Sequence, residues 1–168
     1  MKINCPGCSA LVEACDGPTH KYFGESPGCW KAYGQVLARE YEDKNYWQVH
    51  RLTVDTYAAQ HPYSQDKRNI QSVNLHLMAL YAIIELKLPF DAIPPMLAAA
   101  AKHFKNDFVY LTPPNSLGDL TVLDVLNAKS SQEHCDTVWK WAQSVWVGWK
   151  PHHAKIEEQF KQTLLRLG

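Results

Sequence analysis

The stretch from Cys5 to Cys29 holds four of the five cysteines of the chain, together with His20. Cys5 and Cys8 are separated by a Pro-Gly turn. Such a turn can point both sulfurs at one ion, so this pair forms one half of a tetrahedral thiolate site. The stretch therefore predicts a zinc site near the start of the chain, and this site limits how the first segment can fold.

The other half of the site must come from Cys15, His20 and Cys29. His20 and Cys29 each follow a turn dipeptide that can bring the chain back toward the first pair, whereas Cys15 does not. We predict Cys5, Cys8, His20 and Cys29 as the ligands, with Cys15 as a spare or alternate ligand. Two other interpretations are a catalytic dithiol, which needs a strand before it and a helix after it, and thiols that bind nothing.

Length and charge limit the class of protein. The 168 residues predict a single domain, 1–168, in which a metal-binding segment, 1–33, is fused to a helical body, 34–168. Seventeen Lys and Arg residues balance seventeen Asp and Glu residues, which removes most of the non-specific attraction to nucleic acid. Clustered cysteines favour a reducing compartment, and no apolar run has the length of a signal peptide or membrane span. We therefore expect a soluble, cytoplasmic protein.

After Cys29, apolar residues recur every three or four positions through most of the chain. The pattern predicts helices over 30–41 and 47–61, and a third helix, apolar on nearly all sides, over 70–88. Further helices are expected after Pro94-Pro95, after Thr121, after Ser130 or Ser131, and after Pro151. Because strand patterns are nearly absent, we predict an all-α fold, a bundle of about six or seven helices with an N-terminal zinc-knuckle-like loop.

The helical body carries a second set of candidate site residues. It comprises the histidines on or near apolar helix faces and one carboxylate that could orient an imidazole or act as a base: His50, Asp55, His61, His76, His152 and His153. If those faces meet, three imidazoles could hold a metal with an open coordination position. Alternatively, each histidine bonds a nearby backbone or aromatic group. His103 and His134 occupy polar positions, where we expect them to be solvated.

Four tryptophans lie at helical spacing near the end of the chain: Trp139, Trp141, Trp146 and Trp149. Residues in this pattern are usually core or interface anchors. A stacking platform for bases or a flat cofactor is the alternative, but no arginine lies beside them. We expect the four to belong to the core or to an interface.

Short motifs along the chain also carry a resemblance. They are Cys5-Pro-Gly-Cys8, Asp16-Gly-Pro-Thr-His20, Ser26-Pro-Gly-Cys-Trp30, His50-Arg-Leu-Thr-Val-Asp55 with Tyr57, Gln60-His61-Pro62, Gln71-Ser-Val73 with His76, Ser144-Val-Trp146 with Trp149, and His152-His153. In combination they resemble a family of small bacterial proteins classed as a domain of unknown function. The resemblance covers nearly the whole chain. It implies that Cys5, Cys8, His20 and Cys29 belong together and that the body histidines have a role, but it implies no activity.

Two hypotheses of function follow, and they leave open whether the chain is an enzyme. In the first, zinc stabilises a binding or regulatory module whose partner is a protein or a small molecule, a second copy of the chain being one form of partner. In the second, the body histidines hold a second metal in a hydrolase or transferase. Neither hypothesis involves a membrane, and balanced charge disfavours nucleic acid as a partner.

Overall fold

The computed structural model describes residues 1–167, and this part of the chain is built almost entirely of helices. Strands β1 (Lys2–Asn4) and β2 (Leu11–Glu13) pair antiparallel in one hairpin, with Ile3 opposite Val12. The α-helices are α1 (Pro27–Glu42), α2 (Lys44–Trp47), α3 (His50–Gln60), α4 (Lys67–Ile84), α5 (Ile93–Phe104), α6 (Val122–Leu126), α7 (Ser131–Gly148) and α8 (His153–Leu167). The predicted all-α class is confirmed.

Within residues 1–167 there are eight α-helices, where the sequence predicts about six or seven. The difference arises at 47–61, which is predicted as one helix. The side chain of Asp43 caps Asn45 N and starts the single turn α2, and the chain turns at Gln48 and Val49 before α3 begins. A local cap thus divides an apolar pattern that is continuous in the sequence.

Helices α6 and α7 begin where their caps predict, whereas α1 begins at Pro27, three residues before the predicted start at Trp30. Ser130 caps α7 by accepting a hydrogen bond from Glu133 N, and Thr121 with Asp124 forms a reciprocal capping box at α6. The side chain of Ser26 accepts a hydrogen bond from Cys29 N at the start of α1, where Pro27 is the first helical residue. This last cap matters for the site, because it fixes the first turn of the helix that carries Cys29.

Helix α3 lies in the middle of the packing, with α4 on one side and α7 on the other. α4 supplies fully buried Leu77, Met78 and Leu80, and α8 covers α4 and α5. Three of the four clustered tryptophans are buried, namely Trp141, Trp146 and Trp149, which confirms their predicted place in the core. None of the helices described in residues 1–167 combines the length and the apolar character needed to cross a membrane.

A buried polar group at the end of α1 corrects one expectation. Glu40 is fully buried, and its carboxylate accepts hydrogen bonds from His50 Nδ1 at 2.8 Å, His134 Nε2 at 2.9 Å and Thr53 Oγ1 at 2.6 Å. His134, expected to be solvated, is fully buried here. The partner that makes this burial acceptable lies 94 positions away in sequence, so the local polar pattern could not indicate it. We call Glu40, His50, Thr53 and His134 the Glu40 cluster.

Candidate metal centre

Three separate segments meet beneath the hairpin and bring four metal-binding side chains together. Cys5 and Cys8 come from the turn between β1 and β2, Cys29 from the first turn of α1, and His61 from the residue that follows α3. One ligand atom of each lies within 4.8 Å of those of the other three. All four side chains are buried, Cys8 being the most exposed at 7%. These four residues could hold a metal ion, and we call them the metal centre.

The distances between donor atoms match those of a tetrahedral zinc site. Zn–S bonds of about 2.3 Å and Zn–N bonds of about 2.0 Å place two sulfurs about 3.8 Å apart, and a sulfur and a nitrogen about 3.5 Å apart. The sulfurs of Cys8 and Cys29 are 3.7 Å apart, and Cys29 Sγ lies 3.4 Å from His61 Nε2. A disulfide would require about 2.05 Å between sulfurs. The donor set therefore fits zinc in both atom type and spacing.

The orientation of the His61 ring is fixed by its other nitrogen. His61 Nδ1 donates a hydrogen bond to Tyr57 O at 2.7 Å, because a carbonyl oxygen can only accept. Nε2 therefore faces the sulfurs and is the ring nitrogen that would bind a metal in place of a proton. A backbone carbonyl behind a ligating imidazole is one of the usual outer partners of a zinc-bound histidine. The ring is thus held in the orientation that a metal requires.

The end of α3, which carries His61, is fastened to α7 and to the following loops. Trp141 Nε1 donates to Gln60 Oε1 at 2.8 Å, and Gln60 Nε2 donates to Leu117 O and Leu120 O. Trp149 Nε1 donates to Ala59 O at 2.9 Å. Two buried tryptophans therefore help to set the position of the histidine ligand, although neither touches the metal centre.

The turn that carries Cys5 and Cys8 is tight and leaves no room for added atoms. Cys5 N donates to Ala10 O, Ser9 N donates to Cys5 O, and Ser9 has a left-handed backbone with φ of 61°. At Gly7, a Cβ atom would lie 2.4 Å from the backbone oxygen of Gly24 and 2.6 Å from Cδ2 of His61. Gly7 is needed because the backbone of the turn packs directly against the histidine ligand.

Close contact within the metal centre perturbs the pKa values of Cys5, Cys29 and His61. Hydrogen bonds from the Cys29 and Cys8 thiols hold the pKa of Cys5 far below its usual value, whereas hydrogen bonds with Cys5 and Cys8 raise the pKa of Cys29. Burial alone would lower the pKa of His61, but hydrogen bonds to the Cys5 and Cys8 sulfurs outweigh it and raise the pKa to about 10. Without a cation, these groups can only share protons. A divalent metal would replace the protons, and its binding would release them.

A tyrosine and a carboxylate lie behind the thiolate of Cys29. The hydroxyl of Tyr57 donates to Glu25 Oε2 at 2.5 Å and lies 3.6 Å from Cys29 Sγ. Glu25 Oε1 accepts a hydrogen bond from His20 N at 2.6 Å, and burial raises the pKa of this carboxyl. Tyr57 stacks on Tyr33 with ring centroids 3.8 Å apart. This layer links the metal centre to α1 and shields the sulfur from water.

The structure places His61, not His20, beside the three sulfurs. His20 packs on Phe23, with ring centroids 4.3 Å apart, and its Nδ1 accepts a hydrogen bond from Tyr22 N. The segment before His20 is irregular, as the predicted turn requires, but the imidazole of His20 is not a member of the metal centre. Only the backbone of His20 is linked to the centre, because His20 N donates a hydrogen bond to Glu25, which lies behind Cys29. Cys15, predicted as a spare, is exposed and outside the group of four donors.

The other histidines of the helical body do not converge. Each has its own partner: His50 bonds Glu40, His76 bonds Asp55, His152 bonds Thr112 O, and His153 bonds Trp146 O. Within residues 1–167, the metal centre is the one group of three or more Cys, His, Asp or Glu side chains close enough to share an ion. The structure thus separates His61 from the histidines with which the sequence grouped it.

His61 could have been found from the helix lengths. α1 rises about 24 Å over its length, and α2 and α3 run back by a similar distance, at about 1.5 Å per residue. The end of α3 therefore returns to the start of α1, where Cys29 lies. A histidine directly after a returning helix, and before Pro62, was the available signal. Periodicity alone did not single out His61 as a ligand, because His61 also continues the apolar face of α3.

A comparison with protein families identifies the group to which the chain belongs. A family model described as a family of unknown function, DUF5946, matches residues 3–150, which include all four donors of the metal centre. The match confirms the expectation that the chain belongs to a family of unknown function. No curated protein and no solved structure was found to match the chain. The chain is a member of the DUF5946 family, whose function is unknown.

Proposed function

We propose that Cys5, Cys8, Cys29 and His61 hold one zinc ion in a structural site, and that the protein is a zinc-stabilised binding or regulatory module of the cytoplasm. The observation that supports this most directly is the closed donor set. Four buried donors that lie within 4.8 Å of one another would fill the coordination of zinc, whereas catalytic zinc keeps an open position for water or substrate. The ion would fasten the hairpin to α1 and α3.

A structural role also fits the way the donors are distributed. They come from three segments that are separated in the sequence, and the hairpin itself has only three residues in each strand. A two-stranded hairpin of this size is not stable on its own in water. The zinc ion would supply the binding energy that keeps the hairpin on the helical body. The reducing cytoplasm would keep the three thiols available for the ion.

The proposal is tested by elemental analysis of untagged protein. We expect about one zinc per chain in the wild type, and loss of zinc in Cys29→Ser. Cys15→Ser is the matched control, because Cys15 is an exposed cysteine of the same segment and lies outside the metal centre. Its zinc content should equal that of the wild type. A folded wild-type chain that carries no zinc, or equal zinc in both variants, would contradict the proposal.

A further inference from the structure

A group of hydrogen-bonded polar side chains, separate from the metal centre, joins α3 to α4. Asp55 is fully buried, and its carboxylate accepts two hydrogen bonds from Arg51, from Nε and Nη2, each at 2.7 Å. The same carboxylate accepts a third hydrogen bond from His76 Nδ1 at 2.7 Å. Arg51 balances the charge of the buried carboxylate, so His76 is not needed for that purpose.

The position of the proton on His76 follows from its partner. A carboxylate oxygen only accepts, so Nδ1 carries a proton and Nε2 is directed away from Asp55. The His76 side chain is 20% exposed, and Nε2 has no hydrogen-bond partner among residues 1–167. Histidines that bind metals in proteins are often oriented in this way. A carboxylate accepts a hydrogen bond from one ring nitrogen and leaves the other nitrogen free to bind.

His76 lines an open pocket of about 570 Å³, which we call the basic pocket. Its wall contains three cationic side chains, Lys67, Arg68 and Lys105, and none of the lining residues described is an aspartate or glutamate. Arg68 Nη1 donates to the hydroxyl of Tyr22 at 2.9 Å, which holds the guanidinium at the rim. The pocket has the size of a small-molecule site and a strong excess of positive charge.

Asp66 directly precedes Lys67 of the pocket wall, but Asp66 does not itself line the pocket. Its carboxylate caps α4, where it accepts hydrogen bonds from the backbone nitrogens of Arg68 and Asn69 and from the Asn69 side chain. Its negative charge is therefore directed at the start of the helix.

Lys105 supplies an independent indication. It follows α5 with φ of 48° and ψ of −91°, a backbone conformation that favours glycine. A lysine here costs backbone strain without capping the helix through its side chain. Strained residues of this kind concentrate at functional sites, and this one places an ammonium group on the wall of the basic pocket.

We propose that the basic pocket binds a small phosphorylated ligand, with Lys67, Arg68 and Lys105 around the phosphate and His76 Nε2 in contact with it. A phosphate dianion complements a pocket that contains several cationic side chains and no carboxylate. Arginine can also bind two phosphate oxygens at once. When the His76 ring is protonated, Nε2–H donates to a phosphate oxygen while Nδ1–H stays on Asp55. The chain has no net charge, which favours a small ligand over a long nucleic acid.

Calorimetric titration of the zinc-loaded protein with glycerol 2-phosphate tests the proposal. We expect saturable binding that weakens about tenfold or more in Arg68→Gln and in His76→Gln, since each loses a hydrogen bond to a charged group. Lys140→Gln is the matched control, because it removes one exposed positive charge on α7, away from the pocket. Its affinity should stay within about twofold of the wild type, as expected for a distant, screened charge.

Lys105→Gly separates ligand binding from folding. Glycine relieves the strained backbone, so the melting temperature should rise while the affinity for glycerol 2-phosphate falls. The proposal is overturned by an absence of saturable binding, by equal weakening in Lys140→Gln, or by unchanged affinity in Lys105→Gly. Sulfate that binds as well as the phosphate ester, or a single-stranded oligonucleotide that binds while the ester does not, would also overturn it.

Discussion

The two ends of α1 bury polar groups in opposite ways. In its first turn, Cys29 joins three other donors, and only protons or a cation can hold these four together. In its last turn, Glu40 receives hydrogen bonds from two imidazoles and a hydroxyl, and its carboxylate is satisfied by protein alone. Burial of titratable side chains is therefore not itself a sign of a metal site. The sign is a group whose donors and acceptors do not pair with one another.

Removal of the metal should produce the largest difference in stability between the two ends of α1. Structural zinc contributes about 10–16 kcal/mol of apparent binding energy in small zinc peptides, comparable with the whole stability of a domain, about 5–15 kcal/mol. We expect a chelator to lower the free energy of unfolding by about 5 kcal/mol or more. Denaturant unfolding followed by circular dichroism measures this loss.

Hydrogen exchange in the same experiment locates the effect. Amides of β1 and β2 should lose protection in chelator, while amides in the last turn of α1, beside Glu40, should keep most of theirs. Equal unfolding midpoints with and without chelator would remove the distinction between the two ends.

Replacing Glu40 tests the last turn of α1, where protein groups alone satisfy the buried carboxylate. Glu40→Ala leaves His50, Thr53 and His134 without their shared acceptor in a buried site, and loss of one member of such a group costs about 3–5 kcal/mol. Glu42→Ala, at the exposed end of the same helix, is the control and should change stability by less than about 0.5 kcal/mol. Zinc content should be unchanged in both variants. A Glu40→Ala protein as stable as the Glu42→Ala protein would show that the cluster contributes little.

Acid should weaken the Glu40 cluster in a defined direction. Burial alone would raise the pKa of Glu40, but hydrogen bonds from His134, His50 and Thr53 outweigh it and lower the pKa below 4.5. Because the folded pKa is depressed, this stabilisation is complete above pH 4.5 and is lost as the pH falls through the folded value. Comparing the wild type with Glu40→Gln at several pH values isolates the effect. Parallel pH profiles for the two proteins would contradict it.

Two glycines sharpen the comparison on a smaller scale. Gly7→Ala forces a Cβ against Gly24 O and the ring of His61, and overpacking of this kind costs about 1–3 kcal/mol. Gly34→Ala is the control, since a Cβ there meets no atom within 4 Å, and alanine in a helix should stabilise by about 0.5–1 kcal/mol. Thermal unfolding of both variants measures the two effects. A stabilised Gly7→Ala protein would mean that the turn does not press on the histidine.

Patterns within a few residues predicted the local features of the chain, but they did not predict contacts between distant segments. The capping box at Thr121, the cap at Ser130 and the buried tryptophans follow from spacing within a few residues. The Cys-Pro-Gly-Cys turn belongs to the same class, and so does the Pro27-Gly28 dipeptide that pointed to Cys29. These signals suffice for the helical class and for three of the four donors of the metal centre.

The fourth donor and the partner of His134 depend on which helices meet. His61 reaches Cys29 only because α3 returns along α1 and is held there by Trp141 and Trp149. His134 is buried because α7 brings it to Glu40. Periodicity predicts which face of a helix a residue occupies. Which other helix packs against that face depends on tertiary structure, and a short stretch of sequence does not reveal it.

The zinc content of histidine variants tests the central claim most directly. We expect about one zinc per chain in the wild type and in His20→Ala, and loss of zinc in His61→Ala. His61→Cys should keep the ion, because a fourth thiolate completes a tetrahedral set even if the alanine variant folds poorly. Loss of zinc from His20→Ala with full retention in His61→Ala would contradict the assignment of His61 and, with it, the account of how the hairpin is fastened.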